Sequence, residues 1–244
     1  MTCQPQMEKL VYRWLQAIKR TVLTPTCIAC SGRASGAGDL CAGCRSDLRF
    51  NTCFCLRCAI PLAEESAICG ACLRLPPRYQ HSYCAFEYGY PIAEFVRKLK
   101  YGHSLSQAQV LGELLADYLN HHHRDAWPQC IVPVPLSTQR YHERGFNQAI
   151  ELGRVLEKNL KVPLRTDLLQ RTRHTVEQAG LSRRERRKNL RNAFAIATSK
   201  IPDHVAILDD VVTTGSTVNE IARTLKRAGV STIEVWAVAR APLH

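Results

Sequence analysis

A chain of 244 residues has room for one domain of ordinary size and a small accessory module, and 45% apolar residues exclude a wholly disordered polymer. No apolar run reaches bilayer-spanning length, and Lys9, Arg13, Lys19 and Arg20 interrupt the start, so no membrane span and no secretory leader are expected, and the cytoplasm is the expected location. The net charge of +12 is uneven: residues 131–200 carry 15 basic against 6 acidic side chains, which suits either a polyanionic ligand or a solvated basic face.

In chain order, Leu10, Val11, Trp14, Leu15 and Ile18 share one stripe of Met7–Lys19 and predict a short amphipathic helix within residues 1–24. Residues 25–78 show no sustained apolar period and are rich in cysteine, so something other than a hydrophobic core must hold them. Eight of the twelve cysteines fall into four Cys-x-x-Cys pairs. Each pair presents two thiolates from a tight turn, and two pairs complete a tetrahedral sulfur site. The spacing predicts two structural zinc ions in a double zinc ribbon. One is held by Cys27, Cys30, Cys41 and Cys44, the other by Cys55, Cys58, Cys69 and Cys72; interleaved ligation is the variant. Four protein ligands leave no open position, so these metals are expected to be structural. Cys53, Cys84 and Cys130 stand outside the pairs and read as small buried apolar residues.

Leu75-Pro-Pro-Arg78 marks a boundary, and residues 79–244 alternate between strand and helix signals. Strands are predicted at Tyr83–Tyr88, Cys130–Val134, His204–Asp209 and Ile233–Ala239. Helices are predicted at Ile92–Lys100, Gln107–His122, Phe146–Leu160 and Thr217–Ala228, with a polar basic stretch at Arg171–Asn192. This alternation predicts an α/β domain, a parallel sheet with helices on both faces.

Val205–Thr217 (VAILDDVVTTGST) carries the most chemistry. Four apolar residues bring a buried strand to the sheet edge, two carboxylates follow, and a turn of small residues opens a helix. Backbone N–H groups at such a turn bind phosphate, helped by the Thr and Ser hydroxyls, and Gly215 lets the backbone approach closely. Asp209 and Asp210 cannot bind phosphate, so they call for a polyhydroxyl or cationic partner beside it; a sugar phosphate fits. The segment resembles the phosphoribosyl pyrophosphate signature of type I phosphoribosyltransferases, departing at the small Ala206. That resemblance implies that Asp209 and Asp210 bind the ribose hydroxyls and that Thr213, Thr214, Gly215, Ser216 and Thr217 wrap the 5′-phosphate, with Mg²⁺ accompanying the ligand. It also implies a pyrophosphate loop at Val134, Pro135 and Leu136, with Arg140 and Arg144 behind it. The 6-oxopurine enzymes place an aspartate where this chain has Thr213, so the departure speaks against purine salvage.

Arg144-Gly-Phe-Asn-Gln148, Gln178-x-x-Leu181, Arg186-x-x-Asn189, Ala193-Phe194 and Leu99-Lys-Tyr101 together resemble the ComF/GntX family over nearly the whole chain. Membership implies a competence role in natural transformation: handling imported single-stranded DNA, with other competence proteins as partners. Arg183, Arg184, Arg186, Arg187, Lys188 and Arg191 then stand as contacts to DNA or as parts of a mobile loop over the site. Two other readings remain. One is a transferase acting on an unidentified nucleobase or small acceptor; the other is a silent phosphoribosyl pyrophosphate sensor or scaffold.

Overall fold

The computed structural model describes residues 26–34, 39–64, 67–102, 104–172 and 190–242. The expected Met7–Lys19 helix lies outside the described residues, as do residues 173–189 of the basic stretch. The chain divides into two compact units, Met1–Asp47 and Leu48–His244. In the smaller unit a tight turn follows Cys27, whose N–H donates to Gly32 O at 2.7 Å while Ser31 N–H returns to Cys27 O at 2.9 Å. Cys41 then caps the short helix α1 (Ala42–Ser46).

The larger unit is built on a parallel sheet. β1 (His81–Glu87), β2 (Cys130–Pro133), β5 (His204–Val212) and β6 (Thr232–Arg240) lie in the order β1-β6-β5-β2. In register, Val205 pairs with Ile233 of β6, and Ile131 of β2 pairs with Ala206. Helices α3 (Ile92–Tyr101), α4 (Leu105–His122), α6 (Gln148–Leu160) and α7 (Ser216–Arg227) cover the sheet. Along β5, side chains alternate between the faces. Val205 and Ile207 enter one core with Val218, Ile221 and Leu225 of α7. On the other face Leu208 meets α6 at Gly153, where an added Cβ would lie 3.4 Å from Leu208 and 2.5 Å from Leu164. The predicted α/β class, with helices on both faces, is the architecture observed.

The differences from expectation are local. The helix expected from Phe146 begins at Gln148, and a separate helix α5 (Thr138–Arg144) precedes it. Ser137 Oγ accepts from Arg140 N–H at 3.4 Å to open α5, and Gly145, at φ 72°, ends it. Two three-residue strands, β3 (Leu169–Arg171) and β4 (Phe194–Ile196), form an antiparallel ribbon at either end of the basic stretch. Thr172 N–H donates to Ala193 O at 2.9 Å, which ties those two ends together. Cys84 and Cys130 are buried in β1 and β2, but Cys53 is only half-buried, and its thiol donates to Glu64 O at 3.3 Å.

The second cysteine module, with its short helix α2 (Gly70–Arg74), is part of the larger unit. It lies along β1, the edge strand that would otherwise expose unpaired backbone groups. Asn51 N–H donates to Ala85 O at 2.9 Å, Glu87 N–H to Arg49 O at 3.2 Å, and Ser82 N–H to Leu56 O at 3.0 Å. The Asn51 side chain donates to Ala59 O and its own carbonyl accepts from Tyr118 Oη, both at 2.9 Å.

Inside the sheet, β6 carries a buried acid. Glu234 is 1% exposed, with His123 Nε2 and His204 Nε2 each 2.9 Å from its carboxylate and Trp236 Nε1 donating to it at 2.9 Å. Burial pushes the Glu234 carboxyl upward, but hydrogen bonds from His123 and Trp236 outweigh it and hold the group below its usual range. Removing one partner of such a buried set leaves the others uncompensated. Glu234→Gln should lower the unfolding free energy by about 3 kcal/mol, read by urea denaturation. A loss below about 0.5 kcal/mol would show that the carboxylate is dispensable.

Candidate functional site

The two cysteine sets each converge on one point. In each, the four Sγ atoms lie within 4.8 Å of one another, in the sequential pairing. A tetrahedral zinc with Zn–S bonds near 2.3 Å separates its sulfurs by about 3.8 Å. Cys30 and Cys41 Sγ stand 3.8 Å apart, and Cys58 and Cys69 Sγ 3.7 Å apart. Backbone donors turn toward the thiolates: Cys44 N–H reaches Cys41 Sγ at 3.4 Å, and Cys69 N–H reaches Cys55 Sγ at 3.2 Å. The donor set fits structural zinc at both sites.

The second constellation sits where β2 and β5 end side by side. Val134 N–H donates to Leu208 O at 2.9 Å, and Asn147 Nδ2 donates to Val134 O at 3.0 Å, so the segment after β2 is fixed against β5. Asp209 and Asp210 occupy the end of β5, half-buried and buried respectively, with Asp210 N–H donating to Asp209 Oδ1 at 2.9 Å. The turn follows: Thr213 is exposed, and Thr214, Gly215, Ser216 and Thr217 are half-buried. Gly215 has φ 73°, a conformation that favours glycine, and an added Cβ would come 3.5 Å from Tyr79 Oη. Thr214 Oγ1 and Ser216 Oγ lie 2.9 Å apart, which places two hydroxyls and the first N–H groups of α7 at one end of the helix. Such a turn can hold a phosphate, and the neighbouring carboxylates can accept from a diol.

Cations face the acid pair. Lys100 Nζ, from α3, lies 3.1 Å from Asp210 Oδ2. Burial and the Asp210 carboxylate push the Asp209 carboxyl up to about 7, while Lys100 and Arg140 pull the other way. Arg140 is therefore close enough to act on Asp209. Arg144 is only 5% exposed, stacked on Tyr101 with its guanidinium carbon 5.5 Å from the ring centroid, and it donates to Gln148 Oε1 at 2.9 Å. Pro135 and Leu136, in the segment after β2, are partly exposed. Of the six basic residues of the stretch, Arg191 is exposed and the other five lie outside the described residues.

Three contributors were not assigned roles from the sequence. Lys100 and Tyr101 reach the acid pair and Arg144 from a helix more than 100 residues upstream of β5. The Leu-Lys-Tyr motif was their only trace. Arg240, at the end of β6, is 2% exposed. Its Nε donates to Cys58 O at 2.8 Å, and its Nη1 donates to Val212 O at 3.0 Å, to Ala241 O at 2.7 Å and to Thr213 O. One guanidinium thus ties a zinc knuckle to the turn after β5.

Residues 18–73 match the double zinc ribbon domain. Over most of its length the chain is similar to Competence protein F of Haemophilus influenzae, 37% identical over 224 residues, covering 88% of this chain and 96% of that protein. It is likewise similar to the DNA utilization protein YhgH of Escherichia coli O157:H7, 36% identical over 210 residues, covering 85% and 92% of the two chains. Among solved structures, the allosteric regulatory enzyme of purine biosynthesis aligns with 56% of this chain and 26% of its own, at 19% identity and a TM-score of 0.37.

Two outcomes follow from the geometry. Arg240→Lys keeps the charge but loses the fork, and should lower the unfolding free energy by about 2 kcal/mol in a denaturation experiment. Asp209 ionises near 7 in the folded chain. In an unfolded chain an aspartate ionises near 4, so its charge opposes folding. That opposition is absent below about 4 and complete above about 7. Asp209→Asn should therefore stabilise the protein by about 1–3 kcal/mol at about pH 8, and by less than half as much at about pH 5. A gain that does not vary with pH would contradict the assignment.

Proposed function

The chain belongs to the ComF family, and we propose that it binds phosphoribosyl pyrophosphate with Mg²⁺ at the β5 turn and handles imported single-stranded DNA in the cytoplasm during natural transformation, alongside other competence proteins. The observation that carries the ligand assignment is the acid pair itself. Asp209 and Asp210 precede a turn with Gly215 at φ 73°, and Lys100 Nζ lies 3.1 Å from Asp210 Oδ2. A sugar phosphate satisfies every part of this set at once. The carboxylates accept from the ribose 2′ and 3′ hydroxyls, and the N–H groups and hydroxyls of Thr213–Thr217 donate to the 5′-phosphate. Arg140 and the segment Val134–Leu136 border the pyrophosphate. Bound Mg²⁺ supplies further compensation for the pyrophosphate charge.

The DNA-handling half of the proposal draws support from the relatives, one named for competence and one for DNA utilization. A second reading, transfer of the ribose 5-phosphate to an acceptor, has one observation in its favour. Asp209, poised near 7, is suited to holding or releasing a proton at neutral pH. In that reaction the acceptor bonds to C1 of the ribose as pyrophosphate departs. Thr213 still disfavours 6-oxopurine acceptors.

Calorimetry with Mg²⁺ and phosphoribosyl pyrophosphate tests the site. The wild-type protein should give a saturable heat that Asp209→Asn combined with Asp210→Asn abolishes, and the same sample should carry about two zinc ions per chain. Binding that survives the double substitution would place the ligand elsewhere. Turnover requires a separate acceptor panel, because occupancy alone is not catalysis.

A further inference from the structure

A groove of about 610 Å³ opens in the larger unit, lined by Arg57, Pro77, Arg78, Tyr79, Gln80, Arg223, Lys226 and Arg227. Five of these eight residues are cations and none is a carboxylate. They come from three segments: Arg57 from between the zinc ligands Cys55 and Cys58, Arg78 from the chain entering β1, and the rest from the last turns of α7. The walls are fixed by the fold. Arg78 N–H donates to Asn219 Oδ1 at 2.7 Å, and the Gln80 side chain is bonded to the backbone of both Ser231 and Ile233.

Glu220, the acid nearest along α7, pairs with one of the five cations, Arg223, and leaves the other four. It is engaged by Arg223 and by Asn192 N–H, the latter at 2.8 Å, while Arg223 Nε stays buried with no hydrogen-bond partner. Among the described residues, the side chains of Arg57, Arg78 and Arg227 form no hydrogen bond or ion pair. Unpaired like charges collected in a concavity repel one another and focus a positive potential into it.

The structure assigns this groove to the phosphate backbone of a single-stranded nucleic acid; the assignment rests on the DNA-handling reading above. Guanidinium forks suit phosphodiester oxygens. The one aromatic lining residue, Tyr79, is 3% exposed, so no stacking platform is offered and contact falls on the backbone, without regard to sequence. A flexible single strand can curve its phosphates into a concave groove, whereas a duplex carries its phosphates on a rigid convex surface. The groove runs along α7 toward the β5 turn: Arg223, Lys226 and Arg227 line it from the last turns of the helix, while Arg78 N–H is bonded to Asn219 in the first turn and an added Cβ at Gly215 would come 3.5 Å from Tyr79 Oη.

The test uses fluorescence anisotropy of the full chain with a labelled oligothymidylate of about 20 nucleotides, titrated across a salt series. The variant carries Arg57→Glu, Arg78→Glu and Arg227→Glu. A companion carries glutamine at the same three positions, and zinc content and thermal melting check the fold of both. Expected is at least a tenfold loss of affinity for the glutamate variant at about 0.1 M salt, with an intermediate loss for the glutamine variant and a salt slope shallower by about 2. A wild-type protein that binds no single strand at low salt would sink the DNA-handling reading together with the groove. A wild-type protein that binds, beside a glutamate variant of unchanged affinity and slope, would overturn the groove alone. Tighter binding of a duplex of equal length would overturn the choice of a single strand.

Discussion

The Arg240 guanidinium is a buried cation compensated by carbonyl oxygens, not by an acid. Cys58, Val212, Thr213 and Ala241 each supply one. Burying a charge on these terms is tolerable only while all the acceptors stay in place. The arrangement therefore locks together a zinc knuckle, the end of β5 and the end of β6. Cys58 contributes both a thiolate to the metal and a carbonyl to Arg240, so the geometry of the second metal site reaches the turn after β5 through a single residue. The same module supplies the backbone partners of β1, the edge of the sheet. Zinc here stands in for the hydrophobic core that so short a segment cannot build.

Around the β5 turn the charges are not arranged for stability alone. Two consecutive carboxylates emerge at a strand end; Lys100 takes one, and the other is left with its ionisation displaced toward neutrality. Arg144, which the sequence places beside the pyrophosphate loop, is held against Tyr101 and Gln148 instead of standing open. Its Nε has no hydrogen-bond partner. A displaced acid and an under-satisfied guanidinium each cost stability. The proposed sugar phosphate would offer hydroxyls to the first and phosphate oxygens to the second.

What the sequence made legible follows the range of the interactions involved. The cysteine sets were readable because ligand spacing within a knuckle is local. β5 and its turn were readable because an apolar strand, an acid pair and a glycine turn lie within thirteen residues. The sequential pairing of the knuckles needed the fold. Lys100 and Tyr101 could be quoted as a motif but given no task, since their partners lie on β5 and α5. Glu234 was hidden inside a strand that reads as apolar, with His123 and His204 far away in the chain. β3 and β4 are too short for any period to show. Helix α5 is a different case: Ser137 and Gly145 are ordinary start and stop signals, but seven residues between a strand and the helix expected at Phe146–Leu160 carry too little apolar period to stand out.

Helix α7 gives the molecule its working axis. Its first N–H groups and the hydroxyls beside them stand at the Thr213–Thr217 turn, where the phosphate is proposed to bind. Its last turns carry Arg223, Lys226 and Arg227 into the basic groove. Both ends follow the helix dipole, which favours an anion at the N-terminus and cations at the C-terminus. Tyr79 and Arg78 join the two regions, since both line the groove while the Tyr79 hydroxyl borders Gly215 and Arg78 N–H is bonded to Asn219. On the proposed reading, Tyr79 and α7 itself are the elements through which a ligand at the turn and a polymer in the groove would influence one another.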